Sequence, residues 1–384
     1  MNELAEKAKL DIKKLLNTDI STLFQKKSIA KPKSKAKAPS KEIKKDLLVF
    51  DIGQKSIKFI VGKRQKDLIS IKQMGEVPTT QDSILDGRVI NEATLSNTLK
   101  MIVNDKEIKA KDVAVTINSS QIINRELMIQ AVDEDEMETV IRYELQQYLP
   151  INLNDYQVQY SIIEAFEQDD IQKLKVFVIA FPERLAKSYY QLVKAADLKP
   201  FALETSFVSL DKLLSHINMI NEQPFNSDEV TAFLDLGAST IDVNIYRNGK
   251  IDLTRIIKAG GDNLDYMLSQ RHEIHLQSAL TVKKKIDLAT TSDDELTQST
   301  RLAVDNLIFE IDRILQFYRN KNFQQIDRVY LYGGAALLKG LDVYMGEKLG
   351  LKVEMIYQID GIEFKGESQL VTNYLNTIGA TIRG

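Results

Sequence analysis

The sequence predicts an α/β fold made of two similar halves that face each other. Segments with strand-like and helix-like patterns alternate along most of the 384 residues, which favours sheets covered by helices. An apolar strand that ends in Asp-x-Gly occurs twice, at Asp51 and at Asp235, about half the chain length apart. A third apolar strand leads into the glycine pair Gly333-Gly334. Together these observations predict a duplicated fold with a cleft between its halves.

The first half opens with an apolar, β-branched stretch over residues 47–61 that is interrupted at Asp51-Ile-Gly53. This pattern predicts two strands joined by a tight hairpin. Acidic residues at 133–136 and Pro150 are typical of the start and the end of a helix. In chain order we therefore expect helices over 91–103, 133–149 and 182–196, and strands over 113–117, 156–164 and 173–180.

The second half repeats this alternation. A strand pair over 231–235 and 241–246 is joined at Asp235-Leu-Gly237, and Asn248-Gly249 is typical of a hairpin turn. Helical and buried-strand patterns then follow each other. They predict helices over 263–272, 296–318, 343–349 and 370–382, and strands over 328–331 and 351–355.

Composition excludes several classes of site. The chain has no cysteine, so disulfides, thiolate metal sites and cysteine nucleophiles are ruled out. Three histidines disfavour a zinc enzyme, whereas sites built from carboxylates stay open. The sequence contains no run of 18 apolar residues, so we expect no transmembrane helix. Its first residues lack the apolar core of a secretory signal.

Charge is distributed unevenly along the chain. The formal net charge is −3, but residues 1–46 hold 13 lysines against six acidic residues, which is +7 and leaves −10 for the rest. Apolar residues recur at helical spacing over residues 4–24, ahead of a lysine-rich stretch. This tail is either a basic amphipathic helix that docks on anionic lipid or on a partner, or a solvated segment. It lacks interleaved aromatic residues, so we expect no nucleic-acid partner.

The Asp-x-Gly hairpins predict a nucleotide site. Glycine lets the backbone approach a ligand, consecutive N–H groups of a turn bind phosphate, and aspartate suits Mg²⁺ or its water. A single hairpin of this kind is equally an ordinary turn, but a matched pair favours a clamp on a triphosphate. The candidate nucleotide-binding residues are Asp51, Gly53, Gln54, Lys55, Ser56, Asp235, Gly237, Ala238, Ser239, Thr240, Gly260, Gly261, Gly333, Gly334 and Ala335, with Asp51 and Asp235 as magnesium ligands through water.

Two Asp-x-Gly hairpins followed by strand-Gly-Gly resemble the superfamily of actin, Hsp70 and the sugar kinases. The resemblance covers residues 47–384 and implies an actin-like, duplicated ribonuclease-H-like fold of two lobes that binds ATP with Mg²⁺. It also implies that Lys58, seven residues after Asp51, lies on the phosphates, where a cation offsets their charge. Lysine at the edge of a strand is the alternative interpretation of that residue.

Four further motifs resemble the type IV pilus assembly family PilM, a relative of the cell-division protein FtsA. They are Gly75-Glu-Val-Pro78, Leu85-Asp-Gly-Arg-Val-Ile90, the helix end Ile141 to Ile151, and Asn376-Thr-Ile-Gly-Ala-Thr-Ile-Arg383. The resemblance implies an inserted FtsA/PilM-type subdomain. We accordingly expect a tail over 1–46, the first lobe over 47–120, 201–225 and 365–384, the insert over 121–200 and the second lobe over 226–364.

PilM-like proteins are cytoplasmic, lie at the inner face of the cell membrane and capture the N-terminal peptide of a PilN-type membrane protein. The resemblance therefore implies a peptide held between the inserted subdomain and its parent lobe, and a link to pilus motor components. Where the family often has Ala-Glu-x-x-Lys, this chain has Leu280-Thr-Val-Lys-Lys-Lys285, without the acid. Glu204 is the one candidate for orienting water, so we expect at most slow ATP hydrolysis.

Two other functions stay open at this point. A small-molecule kinase of the same superfamily needs a catalytic carboxylate and polar substrate groups, whereas residues 113–165 are typical of an interaction subdomain. An FtsA-like division scaffold usually carries a C-terminal amphipathic helix, and the sequence shows none before Gly384, although the N-terminal segment is a substitute.

Overall fold

The computed structural model of the protein describes residues 45–66, 68–292, 294–365 and 370–383. The segment 4–24, for which we predicted an amphipathic helix and a membrane contact, lies outside these residues. Every helix in the described ranges is too short or too polar to cross a lipid bilayer.

The first lobe is built on a mixed sheet of six strands. Its apolar β-branched stretches form the strands as expected, and the Asn91 side chain caps the first helix by accepting from the backbone N–H of Thr94. In chain order the lobe begins with β1 (Leu47–Ile52), β2 (Ser56–Gln65), β3 (Leu68–Pro78), β4 (Ile84–Leu85), β5 (Arg88–Val89), α1 (Glu92–Asp105) and β6 (Asp112–Ile117).

An inserted subdomain follows β6. It contains β7 (Ile123–Gln130), α2 (Met137–Tyr148), β8 (Tyr156–Gln168) and β9 (Ile171–Pro182). The strands are antiparallel in the order β7-β9-β8, so β7 lies at an edge of this small sheet. Apolar residues of α2 pack on one face of it, including Ile141 and Leu145. The other face of β9 packs on the first lobe, where the rings of Phe177 and Phe207 meet edge to face.

The chain then returns to the first lobe through α3 (Glu183–Ala195), β10 (Lys199–Thr205) and α4 (Ser206–Leu214). Helix α3 buries Leu185, Tyr189 and Leu192 in the core of this lobe. We expected the insert to run to residue 200, and this packing leads us to propose that it ends at Pro182 instead. Two short strands, β11 (Met219–Ile220) and β12 (Gln223–Pro224), form a hairpin before the second lobe.

The second lobe contains β13 (Thr231–Leu236), β14 (Ile241–Arg247), β15 (Lys250–Ile257), α5 (Gly261–Arg271), α6 (Leu276–Lys283), α7 (Glu295–Asn322), β16 (Arg328–Tyr332), α8 (Leu341–Leu349) and β17 (Lys352–Met355). The chain ends back on the first lobe with β18 (Ile362–Phe364), which pairs with β3, and α9 (Leu375–Ala380). The final helix is shorter than predicted, because a 3₁₀ turn at Val371–Asn373 precedes it.

The two main sheets share one topology, which confirms the predicted actin-like two-lobed α/β fold. Five strands run in the order β3-β2-β1-β6-β10 in the first sheet and β15-β14-β13-β16-β17 in the second. In each, the central strand pairs antiparallel with the next strand of the hairpin and parallel with the strand on its other side. Asp51 and Asp235 therefore stand at equivalent ends of equivalent strands.

Aromatic side chains of the second sheet pack into the core of the first lobe. Phe233, Tyr246, Tyr330 and Tyr332 belong to the same buried cluster as Phe50 and the other first-lobe core residues. The rings of Phe233 and Tyr330 stack with their centroids 5.3 Å apart. The two lobes thus share part of one apolar core.

Candidate functional site

Both Asp-x-Gly turns are closed by the same backbone hydrogen bond. The N–H of Gly53 donates to the carbonyl of Ser56, and the N–H of Gly237 donates to that of Thr240, each over 3.0 Å. A Cβ at either glycine would lie within 3.0 Å of the same carbonyl oxygen, so the turn requires glycine. The sequence repeat therefore folds into two matching turns.

The structure brings the carboxylates of Asp51 and Asp235 together. Burial raises the pKa of Asp51, whereas Lys58, whose Nζ lies 4.0 Å from Asp51 Oδ2, lowers it. Burial raises the pKa of Asp235 to about 6; Lys58 and a 2.8 Å hydrogen bond from the Asn376 amide oppose this rise, and the charge of Asp51 adds to it. One ammonium group thus attracts both carboxylates, which repel each other.

A third carboxylate joins this pair, and our sequence analysis missed it. The strand register places Asp242 opposite Asp235, in the position that Lys58 occupies opposite Asp51. Burial raises the pKa of Asp242 well above its ordinary value, the charge of Asp235 adds to the effect, and a hydrogen bond from Asn118 opposes it. The alignment of the two hairpins was the signal for this residue, because it sets Asp242 against Lys58.

The charge balance of this cluster suits a divalent cation. Asp242 is buried, Asp51 and Asp235 are partly buried, and Lys58 is the one lysine that acts on this cluster through Asp51 and Asp235. The buried hydroxyl of Tyr332, close to Asp235 and Asp242, has no hydrogen-bond partner among the described residues. Carboxylate and hydroxyl oxygens are the donors that Mg²⁺ prefers. Within the described ranges, no three acidic or histidine side chains are spaced to hold a metal ion unaided. Water or phosphate oxygens would have to complete such a site.

The glycine pair after β16 lies directly against Asp235. Gly333 has φ +90°, and a Cβ there would lie 2.3 Å from Asp235 Oδ1, so only glycine fits. A Cβ at Gly334 would meet no atom within 4 Å. The backbone after β16 thus lies against the buried carboxylate at Gly333 and faces open space at Gly334.

The first hairpin reaches across the cleft through Lys55. Its Nζ lies 2.9 Å from Asp262 Oδ1 and 2.6 Å from Asp265 Oδ2, both on α5 of the second lobe. Lys283 of α6 donates to the other oxygen of Asp265. A phosphate group at this hairpin would compete with these two carboxylates for Lys55.

The backbone N–H groups of Gly260 and Gly261 donate to acceptors within the protein. We expected these N–H groups to point at phosphate or ribose, but they are engaged: Gly261 donates to the Gly237 carbonyl over 3.0 Å, and Gly260 to Asn263 Oδ1 over 2.9 Å. A Cβ at Gly260 would lie 2.5 Å from the Ala238 carbonyl oxygen. These glycines let the loop pack closely against the second hairpin and stabilise it with a hydrogen bond.

An apolar cavity lies behind this second hairpin. Gly237, Gly260, Gly261 and Ala335 border it, and its inner wall is made of aliphatic side chains: Leu236, Ile241, Leu264, Val304, Leu307, Ile311, Leu338, Leu341 and Met345. Four candidate nucleotide-binding residues thus line one cavity in the second lobe.

Glu204 cannot orient water in this structure. Lys212 Nζ donates to both of its carboxylate oxygens, at 2.7 and 2.9 Å, Arg383 donates over 2.7 Å and the Ser209 hydroxyl over 2.6 Å. The residue is buried, and although burial opposes the effect, the two cations lower the pKa of its carboxyl. Glu204 is therefore the centre of a buried ion-pair cluster, which argues against the catalytic role that we predicted for it.

A second concavity lies on the inserted subdomain. It runs between the edge strand β7 and helix α2 and is lined by Arg125, Glu126, Leu127, Met128, Glu144, Leu145 and Tyr148. Met128 and Tyr148 leave about two thirds of their surfaces exposed beside it. An unpaired strand edge beside exposed apolar side chains suits an extended peptide. The interface between insert and parent lobe, where we expected a peptide, is packed around Phe177.

Comparison with known proteins agrees with this architecture. The family described as "Type IV pilus assembly protein PilM" matches residues 50–381. The cell division protein FtsA of Neisseria meningitidis serogroup B is 24% identical in an alignment of 272 residues that covers 65% of this chain. That alignment spans only 63% of the length of FtsA.

Solved structures share the fold at low sequence identity. A PilM-PilN type IV pilus biogenesis complex has a TM-score of 0.75 at 20% identity, covering 87% of this chain and 97% of that one. The ethanolamine utilization protein EutJ of Carboxydothermus hydrogenoformans has a TM-score of 0.55 at 16% identity, covering 98% and 99%. MreB5 of Spiroplasma citri bound to AMPPNP has a TM-score of 0.50 at 13% identity, covering 88% and 95%.

Proposed function

Because the chain belongs to the PilM family of type IV pilus assembly proteins, we propose that it binds ATP between its lobes and a membrane-protein peptide on its inserted subdomain. The peptide would be the N-terminal segment of a PilN-type protein, and the chain would act in the cytoplasm at the inner face of the membrane. The meeting of Asp51 and Asp235 across the cleft is the observation that carries the nucleotide half of this proposal.

The two hairpin turns would hold the phosphates. Backbone groups of Gly53 to Ser56 and of Gly237 to Thr240 would face them from opposite sides, with Lys58 and Lys55 offsetting their charge. Asp51, Asp235 and Asp242 would hold Mg²⁺ through water. The ion would supply the positive charge that balances these three carboxylates. Gly334 and Ala335 would border the nucleoside. Since Glu204 is held by ion pairs, we assign no general base and propose at most slow hydrolysis.

The groove beside β7 would receive the peptide. An extended chain that pairs with the edge of β7 would gain backbone hydrogen bonds, and the side chains of Met128 and Tyr148 would pack on its apolar residues. The fold shared with a PilM-PilN complex supports a partner of this kind. Contact with pilus motor components, and of residues 4–24 with the membrane surface, belongs to the same proposal.

Calorimetric titration tests nucleotide binding and peptide binding separately. We expect the wild-type chain to bind Mg·AMPPNP and, independently, a synthetic peptide of the first residues of a PilN-type protein from the same genome. Asp51→Asn should lower the affinity for Mg·AMPPNP at least tenfold, because it removes a carboxylate from the cation site. It should leave the affinity for the peptide unchanged. Binding of neither ligand by folded wild-type protein would contradict the proposal.

The match to FtsA supports division scaffolding as a second candidate function. The two candidates differ in where the protein acts. Fluorescence microscopy of the tagged chain in its own cell would place a division scaffold at the septum and a pilus assembly protein at pilus machines. A septal ring that persists after the pilus membrane proteins are deleted would favour the second candidate.

A further inference from the structure

The inserted subdomain meets the second lobe through charged side chains. Lys175 Nζ on β9 lies 3.2 Å from Glu126 Oε2 on β7 and 3.5 Å from Asp252 Oδ1 on β15. Asp252 Oδ2 in turn accepts hydrogen bonds from the Tyr318 hydroxyl over 2.7 Å and from Arg247 Nε over 3.1 Å. We call these five residues the interdomain bridge.

The bridge is shielded from solvent at its centre. The side chain of Asp252 is 9% exposed and that of Lys175 is 18% exposed, so dissolved salt screens their attraction less than at an open surface. Burial by itself would raise the pKa of Asp252, but the Tyr318 hydroxyl and the cations Arg247 and Lys175 lower it below its ordinary value. The contact between the subdomain and the lobe is therefore an attraction between full charges.

The strand that carries Asp252 also connects with the cleft. Strand β15 pairs with β14, in a register that sets Ile256 beside Asp242. Asp242 belongs to the acidic cluster, and Asp252 lies further along the same β14-β15 hairpin. Because a hydrogen-bonded hairpin moves as a unit, a shift of lobe 2 at the cleft changes the distance between Asp252 and Lys175.

The bridge can open without leaving a buried charge alone. If lobe 2 moves away, Lys175 keeps Glu126, which lies on the same subdomain, and Asp252 keeps Arg247 and Tyr318, which lie on lobe 2. An unpaired buried charge would resist separation, whereas here both sides stay paired. Separation would therefore leave the charges on both sides paired, as a contact that opens and closes requires.

The bridge ends in the wall of the groove. Glu126 lines the groove beside β7, and its Oε1 is buried without a hydrogen-bond partner among the described residues. Lys175 therefore fixes one oxygen of Glu126, while the other oxygen is buried and unpaired. The strength of the Lys175–Glu126 ion pair therefore depends on whether the Lys175 ammonium group is also paired with Asp252.

We propose that the Lys175–Asp252 ion pair couples the cleft to the groove, so that occupancy of the acidic cluster changes the position of Glu126 and the mobility of β7. This inference rests on the proposed function, because it needs a nucleotide in the cleft. It assigns the regulation of the groove to a pair of residues that lie in neither site.

Hydrogen–deuterium exchange of the full chain, with and without saturating Mg·AMPPNP, tests the coupling. In the wild type we expect Mg·AMPPNP to change deuterium uptake in fragments that cover β7, as well as at the two hairpins. In Lys175→Met and in Asp252→Asn the change at β7 should be lost while the change at the hairpins stays.

The matched control is Lys348→Met, which removes an ion pair to Asp305 of similar length, 3.1 Å, within the second lobe. It should keep the wild-type response at β7. Calorimetry on each variant separates the outcomes. If Mg·AMPPNP fails to bind wild-type protein, the proposed function fails; if it binds but β7 does not respond, or responds equally in Lys175→Met and Asp252→Asn, the coupling is overturned. Two variants on opposite sides of the pair guard against misfolding of either one.

Discussion

Asp235 is a partly buried carboxylate whose charge affects the stability of the fold. Its pKa of about 6 lies above the ordinary value of 3.8, so the folded protein binds this proton more tightly than the unfolded chain does. The stability from this group is therefore present in full below pH 3.8 and is lost as the pH rises through about 6. At neutral pH the residue is charged and costs stability, as expected of a group kept for binding a cation.

Asp235→Asn should consequently stabilise the ligand-free protein at neutral pH. We expect the free energy of unfolding to rise by about 1–3 kcal/mol at pH 7.5, because a neutral amide removes a partly buried charge, and by less at pH 5. Urea unfolding at the two pH values measures this. The same variant should lose Mg·AMPPNP affinity. A variant less stable than the wild type at pH 7.5 would contradict this account of the charge.

Neighbouring glycines at the end of β16 allow a matched comparison. Gly333→Ala should destabilise the fold by about 1–3 kcal/mol, because φ is +90° and the new methyl group would collide with the Asp235 carboxylate. Gly334→Ala places its methyl group in open space and should change stability by less than about 0.5 kcal/mol. Thermal unfolding of both variants decides the matter, and equal midpoints would contradict the geometry.

At the scale of elements, the sequence predicted those helices and strands whose residues show a clear local pattern. The hairpins at Asp51 and Asp235 follow from apolar runs and glycine turns, and so does their equivalence. Strand β3 and helix α6 were missed, since β3 mixes buried with exposed polar residues and α6 buries only Ala279. The N–H groups that follow Gly260 were expected to face a ligand, but those of Gly261 and Asp262 donate to a hairpin more than 20 residues away in the chain.

The junction of β10, α4 and the C-terminal residues offers a test at this scale. Glu204→Gln would leave Lys212 and Arg383 buried with reduced compensation, and we expect a loss of about 3–5 kcal/mol of stability. Mg·AMPPNP affinity of the folded fraction should not change, since Glu204 lies outside the site. Glu310→Gln, which breaks an exposed pair with Arg313, is the control and should cost less than about 1 kcal/mol. Equal losses in the two variants would be inconsistent with a structural role for Glu204.

At the scale of the whole molecule, function depends on how three bodies meet. The lobes share an apolar core around Phe233, and Lys55 adds ion pairs to Asp262 and Asp265 across the cleft. The inserted subdomain packs on lobe 1 through Phe177 and reaches lobe 2 through Lys175. Family resemblance predicted the insert, but neither Lys55 nor Lys175 could be assigned a partner from sequence, because each pairs with residues far away in the chain.

A crystal structure of the chain grown with Mg·AMPPNP tests the central claim most directly. We predict density for the triphosphate between the turns at Gly53 and Gly237, with a magnesium ion whose waters contact Asp51 and Asp235. Nucleotide bound elsewhere on the molecule, or a cleft that stays empty at saturating Mg·AMPPNP, would contradict the account.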